Sequence, residues 1–146
     1  MSYVCRIGLN QHEELSGGPC MNQLQRLMQA QLKTVPFETL DAHFEKRVRF
    51  ECSSDFESHL SSGVLQISFD VEKIYEKIVN NRRGGFCFEL SSLFAWLLSS
   101  LNYQVRLVLA DVWRKEIPNY LEPCTHLALL VTWPSETATW LVDVRC

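Results

Sequence analysis

Residues 81–89 read NRRGGFCFE, and this stretch holds the strongest chemical signal in the chain. Cys87 follows two glycines and an aromatic residue, and a helical spacing of apolar positions begins just after it, so the thiol falls at a helix start. A helix N-terminus presents unpaired N–H groups and partial positive charge, both of which stabilise a thiolate. Arg82 and Arg83 are close enough in sequence to add to that charge. Gly84 and Gly85 give the backbone φ values closed to other residues and allow a substrate close approach. The chemistry would be that of a nucleophilic thiolate. A cysteine taken alone is more often a small buried hydrophobe, so the case for a nucleophile depends on its partners.

Such a nucleophile needs a base to take its proton, and the base needs an orienting group. Of the four histidines, His12, His43 and His59 lie in segments without a firm pattern, whereas His126 begins a strand-like run. Asp143 sits inside the apolar run Trp140-Leu141-Val142-Asp143-Val144, where a carboxylate needs a partner. Pro134-Ser135-Glu136 can turn the chain between them into an antiparallel hairpin. An even number of loop residues puts His126 and Asp143 on one face. They are then either directly opposite, with Cβ atoms roughly 4.5 to 5.5 Å apart, or diagonal, at roughly 7 to 8 Å. An odd loop separates them onto opposite faces. Each residue also has a plainer reading, His126 as a polar strand end and Asp143 as a guard against edge pairing. A thiol at a helix start together with two polar residues able to share a face favours a Cys87-His126-Asp143 triad.

The elements that must carry these residues are set by periodicity. Leu90, Leu93, Phe94, Leu97, Leu98 and Leu101 keep helical spacing, which predicts the central helix of the fold. Ahead of it, Asp70 is placed to cap a helix whose apolar face is Val71, Ile74, Tyr75, Ile78 and Val79. A further helix is predicted over 22–33, capped by Asn22 with Gln25 three residues on, and stopped by Pro36. Residues 3–9 give a weaker helical signal. After Asn102-Tyr103 the period changes, and 104–113, 126–133 and 139–144 read as strands. Residues 43–68 show no sustained period and predict a surface excursion with a short strand over 47–52.

Bulk properties narrow the function classes. The length of 146 residues suits one compact domain, or one with part of another, and 47% hydrophobic with 21% charged residues is the balance of a globular protein. A net charge of −3 without a basic run argues against nucleic acid and for small-molecule partners. Neither a signal peptide nor a stretch able to span a bilayer is evident, which predicts a cytoplasmic protein with no membrane partner. The six cysteines form no C-x-x-C pair, so neither a metal site nor a disulfide framework is expected.

The segments YVCRIGL, VPFETL, YEKIVNNRRGGFCFEL, CTHLALLV and WLVDV, in that order, resemble the arylamine N-acetyltransferase family. The resemblance implies an α+β fold with a cysteine-protease-like Cys-His-Asp core. An N-terminal helical bundle over 1–103 would carry the nucleophile, and 104–146 would supply the first antiparallel strands of a β-barrel. That barrel is incomplete here, and the family's C-terminal lid domain is not represented. The family triad falls on Cys87, His126 and Asp143; Phe37 of VPFE is implied to line the acceptor pocket and Thr125 to lie beside the substrate. The implied activity belongs to xenobiotic metabolism: ping-pong transfer of an acetyl group from acetyl-CoA, through an acetyl-cysteine. The acceptor would be the nitrogen of an arylamine or arylhydrazine, or the oxygen of an N-hydroxyarylamine. Acetyl-CoA would be a co-substrate, with no permanently bound cofactor, and the protein a monomer.

Two departures from the family pattern stand out. Residues 45–69 look like an inserted surface loop, and Glu122-Pro123-Cys124 lack the small hydroxyl-glycine pair found near the coenzyme in some members. Two other functions remain open: an inactive fragment serving as an interaction module through its exposed barrel edge, and a cysteine amide hydrolase or transglutaminase-like enzyme. The RRGGFCFE motif disfavours the second.

Overall fold

A computed structural model describes residues 2–10, 12, 17–40, 70–111, 113–114, 119–120 and 126–144. Helices come first and antiparallel strands second, an α+β order. Helix α1 is short, Tyr3–Arg6, with the Ser2 hydroxyl accepting from the Cys5 N–H. Gly8, at φ 80°, ends it. Helix α2 spans Met21–Thr34 and buries Leu24 and Leu27. Asn22 does not cap it: the N-cap position belongs to Cys20, whose N–H donates to the Tyr103 hydroxyl at 3.0 Å. A tertiary contact therefore fixes a helix start that local sequence placed two residues later. The helix stops before Pro36, as a residue without an N–H requires.

Asp70 does cap helix α3, Val71–Tyr75, accepting from the N–H groups of Glu72 and Lys73. Periodicity predicts that this helix continues as it began, yet Glu76–Asn80 form a π-helical turn, closed by the Asn81 N–H on the Glu76 carbonyl at 2.9 Å. Such turns insert one residue into a helix and rotate the chain beyond them. Here the Ile78 carbonyl accepts from Arg6 Nε at 3.0 Å, while Arg6 Nη1 reaches the Thr34 carbonyl at 3.1 Å. One guanidinium thus ties α1 to the ends of two other helices.

Helix α4, Cys87–Ser100, is buried on nearly every side and includes Leu90, Leu93, Phe94, Leu97 and Leu98 in the core. Asn102, at φ 66°, turns the chain into the strands. Strands β1 (Gln104–Ala110), β4 (His126–Thr132) and β5 (Trp140–Val142) form an antiparallel sheet in the order β1-β4-β5. The predicted strand over 104–113 divides, because Trp113 leaves this sheet to pair with Tyr120. Strands β2 (Trp113–Arg114) and β3 (Asn119–Tyr120) make that separate ribbon. Leu129, Val131 and Val142 pack into the same core as α4. The strand expected over 47–52, the excursion over 43–68 and the insertion over 45–69 lie outside the described residues.

The β4–β5 connection decides the register. Val131 pairs with Trp140, leaving eight residues between them, 132–139, an even number. The Glu136 carboxylate accepts from the N–H groups of Thr137 and Ala138, and the Thr132 hydroxyl donates to the Ala138 carbonyl. The Ala138 N–H is the main reason the Glu136 carboxyl lies below its ordinary value.

Candidate active site

Cys87 is the first residue of α4 and is buried, 7% exposed. Glu89, the third residue of the helix, accepts from the Phe86 N–H at 3.1 Å, half of a capping box that holds the helix start. The Glu89 carboxylate also takes two bonds from Lys77 Nζ, at 2.9 and 2.8 Å. Lys77 lies in the π-helical turn. Arg83 pairs with Glu38, with Nη2 at 3.0 Å and Nε at 3.1 Å from Oε1. Lys77 stands 3.9 Å from that same carboxylate oxygen. Two carboxylates and two cations, mostly shielded from water, thereby lock the loop before Cys87.

Neither glycine has a positive φ, contrary to the expectation for Gly84 and Gly85; among the described residues, Arg82 carries the left-handed turn at φ 54°. The glycines serve close approach instead. A Cβ on Gly84 would press into the backbone carbonyl of Pro36. Phe37 and Gly85 form a parallel bridge, with the Glu38 N–H on the Gly85 carbonyl at 2.9 Å and the Gly85 N–H on the Pro36 carbonyl at 3.2 Å. The segment after α2 is therefore laid alongside the loop before the thiol. Phe37 is 38% exposed and its backbone bridges to Gly85 just ahead of the helix start, so it is not part of the buried core. Arg83 is engaged by Glu38, and Arg82 is exposed at the turn.

His126 and Asp143 meet. His126 Nε2 lies 2.8 Å from Asp143 Oδ2. Leu129 pairs with Val142, so one further step along the register sets Asp143 opposite Ala128, two residues from His126 and on the same face. This is the diagonal of the two arrangements that an even loop allows. The His126 ring is buried while the Asp143 side chain is 45% exposed, so the pair has a dry end and a wet end. Nδ1, the other ring nitrogen, is buried and has no hydrogen-bond partner among the described residues.

The thiol helix and the histidine strand are joined at two points. Cys87, Phe88 and Leu127 form a small apolar cluster of their own. One turn further along α4, the buried Ser91 hydroxyl donates to the Leu127 carbonyl at 2.8 Å. Cys87 is thus held against the residue next to His126. Thr125 lies outside the described residues. Sequence reasoning passed over Lys77, Glu38 and Ser91. Glu89 falls in the first turn of the predicted helix, where a carboxylate can reach back to the N-cap N–H, but nothing local announces Lys77. Among the described residues, no group of three His, Cys, Asp or Glu side chains is placed to hold a metal, and no helix is long and apolar enough to cross a membrane.

The model of the N-acetyltransferase family matches residues 20–145. The arylamine N-acetyltransferase of Mycobacterium tuberculosis is 34% identical over 127 residues, covering 86% of this chain and 38% of that protein. The solved structure of arylamine N-acetyltransferase from M. tuberculosis superimposes with a TM-score of 0.75 at 30% identity, covering 98% of this chain and 45% of the other. The Mycobacterium marinum arylamine N-acetyltransferase, solved in complex with CoA, gives a TM-score of 0.71 at 28% identity, covering 98% of this chain and 45% of that one. The chain spans about two-fifths of the length of the curated relatives it matches.

Proposed function

The chain belongs to the arylamine N-acetyltransferase family, and on that premise we propose that it transfers an acetyl group from acetyl-CoA to an aromatic amine through an acetyl-Cys87 thioester. The observation that carries this reading is the His126–Asp143 pair at 2.8 Å, with the strand that begins at His126 docked against the first turn of the helix that begins with Cys87. The unpartnered Nδ1 leaves His126 one ring nitrogen for a proton in transit, since Nε2 is held by Asp143.

In the first half-reaction the Cys87 Sγ attacks the thioester carbonyl of acetyl-CoA. The new Sγ–C bond forms, the bond from carbon to the coenzyme sulfur breaks, and the imidazolium of His126 gives its proton to the departing thiolate. In the second, the amine nitrogen attacks the acetyl-cysteine, His126 takes the amine proton, and Sγ leaves as the acetylated amine is released. Asp143 fixes the imidazole orientation and stabilises its charge throughout. Backbone N–H groups at the start of α4 are suited to the developing oxyanion. Phe37 offers a flat apolar face to an arylamine, an arylhydrazine or an N-hydroxyarylamine, and Thr125 is assigned the neighbouring wall. Residues 1–103 act as the helical part that carries the nucleophile and 104–146 as strands of a barrel. Acetyl-CoA is a co-substrate, and the setting is cytoplasmic xenobiotic metabolism by a monomer.

Intact mass measurement of the purified chain after mixing with acetyl-CoA tests the reading. One acetyl adduct is expected, absent in Cys87→Ala and discharged by an added arylamine. A folded chain that takes up no acetyl group overturns it. Cleavage of a generic peptide amide without adduct transfer would point to a cysteine hydrolase.

A further inference from the structure

We propose that Ser91 is a positioning residue that sets Cys87 against His126, an inference that rests on the acyl-transfer role given to those two residues. Residues i and i+4 of a helix lie on one face, so Ser91 stands directly behind Cys87 on α4. It is fully buried, and its hydroxyl donates to the Leu127 carbonyl at 2.8 Å. Leu127 comes directly after His126 on β4. One hydrogen bond therefore links the helix that carries the nucleophile, one turn beyond it, to the residue beside the base, across 36 positions of sequence.

The apolar contact among Cys87, Phe88 and Leu127 closes the same junction, but burial of apolar surface has no direction and lets the helix end slide. A hydrogen bond fixes both distance and angle. Ser92 provides an internal control. It is also buried, yet its hydroxyl has no hydrogen-bond partner among the described residues. The charged groups gathered around the helix start are Lys77, Glu38, Glu89 and Arg83 on the loop side, with His126 and Asp143 on the strand side. Replacing Ser91 alters none of them, so a change in thiol behaviour reports geometry rather than charge.

The test is alkylation of Cys87 by iodoacetamide as a function of pH, read on the Cys87 peptide by mass spectrometry, with a thermal melt of each protein alongside. The wild-type thiol is expected to react with a midpoint below that of a free cysteine, about 8.5. A wild-type midpoint at the free-thiol value overturns the acyl-transfer reading itself. Given a low wild-type midpoint, Ser91→Ala is expected to move it towards the free-thiol value. The same change should slow acetyl-adduct formation by on the order of 10- to 100-fold, the scale of a sub-ångström to ångström misplacement. Ser91→Thr restores the hydroxyl and should recover much of both; Ser92→Ala should leave both unchanged. If Ser91→Ala does not fold, Ser91→Cys gives the same comparison, because it keeps the shape and weakens the donor, with fragment ions assigning each adduct to Cys87 or to the added thiol. A Ser91 variant that melts earlier but keeps the wild-type midpoint and adduct rate overturns the proposal, as does an equal effect from Ser92→Ala.

Discussion

Asp143 is half-exposed and His126 is buried, and this asymmetry sets what each can contribute. A buried imidazole with one nitrogen tied to a carboxylate has a fixed ring orientation, whereas the carboxylate itself keeps contact with water. Asp143→Asn keeps the size of the side chain but presents an amide to Nε2, removing the charge that favours the imidazolium. Acetyl-adduct formation from acetyl-CoA is expected to fall by about 10²-fold or more, since the corresponding change in a Ser-His-Asp triad costs about 10⁴. Stopped-flow or quenched mass measurement of the adduct gives the rate. A variant within a factor of two of wild type would show that Asp143 is a strand-end residue only.

The loop before α4 illustrates a motif whose glycines answer to packing rather than to φ. Gly84 lies against the Pro36 carbonyl, and the nearest atoms there are backbone, which cannot swing aside. Gly84→Ala should therefore push the Phe37 segment off the loop and cost about 1–3 kcal/mol, the range for overpacking. Gly85→Ala meets the end of the Glu89 side chain at 2.9 Å rather than backbone, so its cost should be smaller, set by how far the bonds from Lys77 and the Phe86 N–H must give. Urea unfolding of the two variants checks the order; Gly84→Ala matching wild type would mean that the Pro36–Gly85 contact is loose. The π-helical turn is the other device at this scale, because it carries Lys77, whose bond to Glu89 couples the preceding helix to the cap of the helix that begins with Cys87.

Across the molecule, α4 is the shared wall between helices and sheet, with Phe94, Leu93 and Leu98 fully buried among residues of both. The outer strands of the three-stranded sheet are less well covered. Leu107 and Leu109 on β1 are 44% and 46% exposed, and Trp140 and Leu141 on β5 are 42% and 69% exposed. Apolar side chains along sheet edges invite strand pairing between molecules. Leu141→Lys is expected to change unfolding free energy by no more than about 0.5 kcal/mol, as for other exposed positions. It should also raise the concentration at which light scattering detects association. No gain in that concentration would place the adhesive surface elsewhere.

Periodicity and capping made much of this legible from the chain alone. The helix opening at Cys87, the Asp70 cap, the stop before Pro36 and the change from helical to strand period are all local, because each depends on residues within one or two turns of one another. The candidate pair His126 and Asp143 was also legible, down to the requirement for an even loop. Which of the two even registers is adopted was not: it is settled by how Val131 meets Trp140, with Glu136 and Thr132 holding the connection between them. The Cys20 cap, the π-helical turn, the loop's Lys77–Glu89 and Arg83–Glu38 pairs and the Ser91–Leu127 bond join residues from 5 to 83 positions apart. Sequence determined which side chains could do chemistry and on what kind of element each would stand. Only tertiary packing decided the distances between them, because those are set where separate elements touch and not within any one of them.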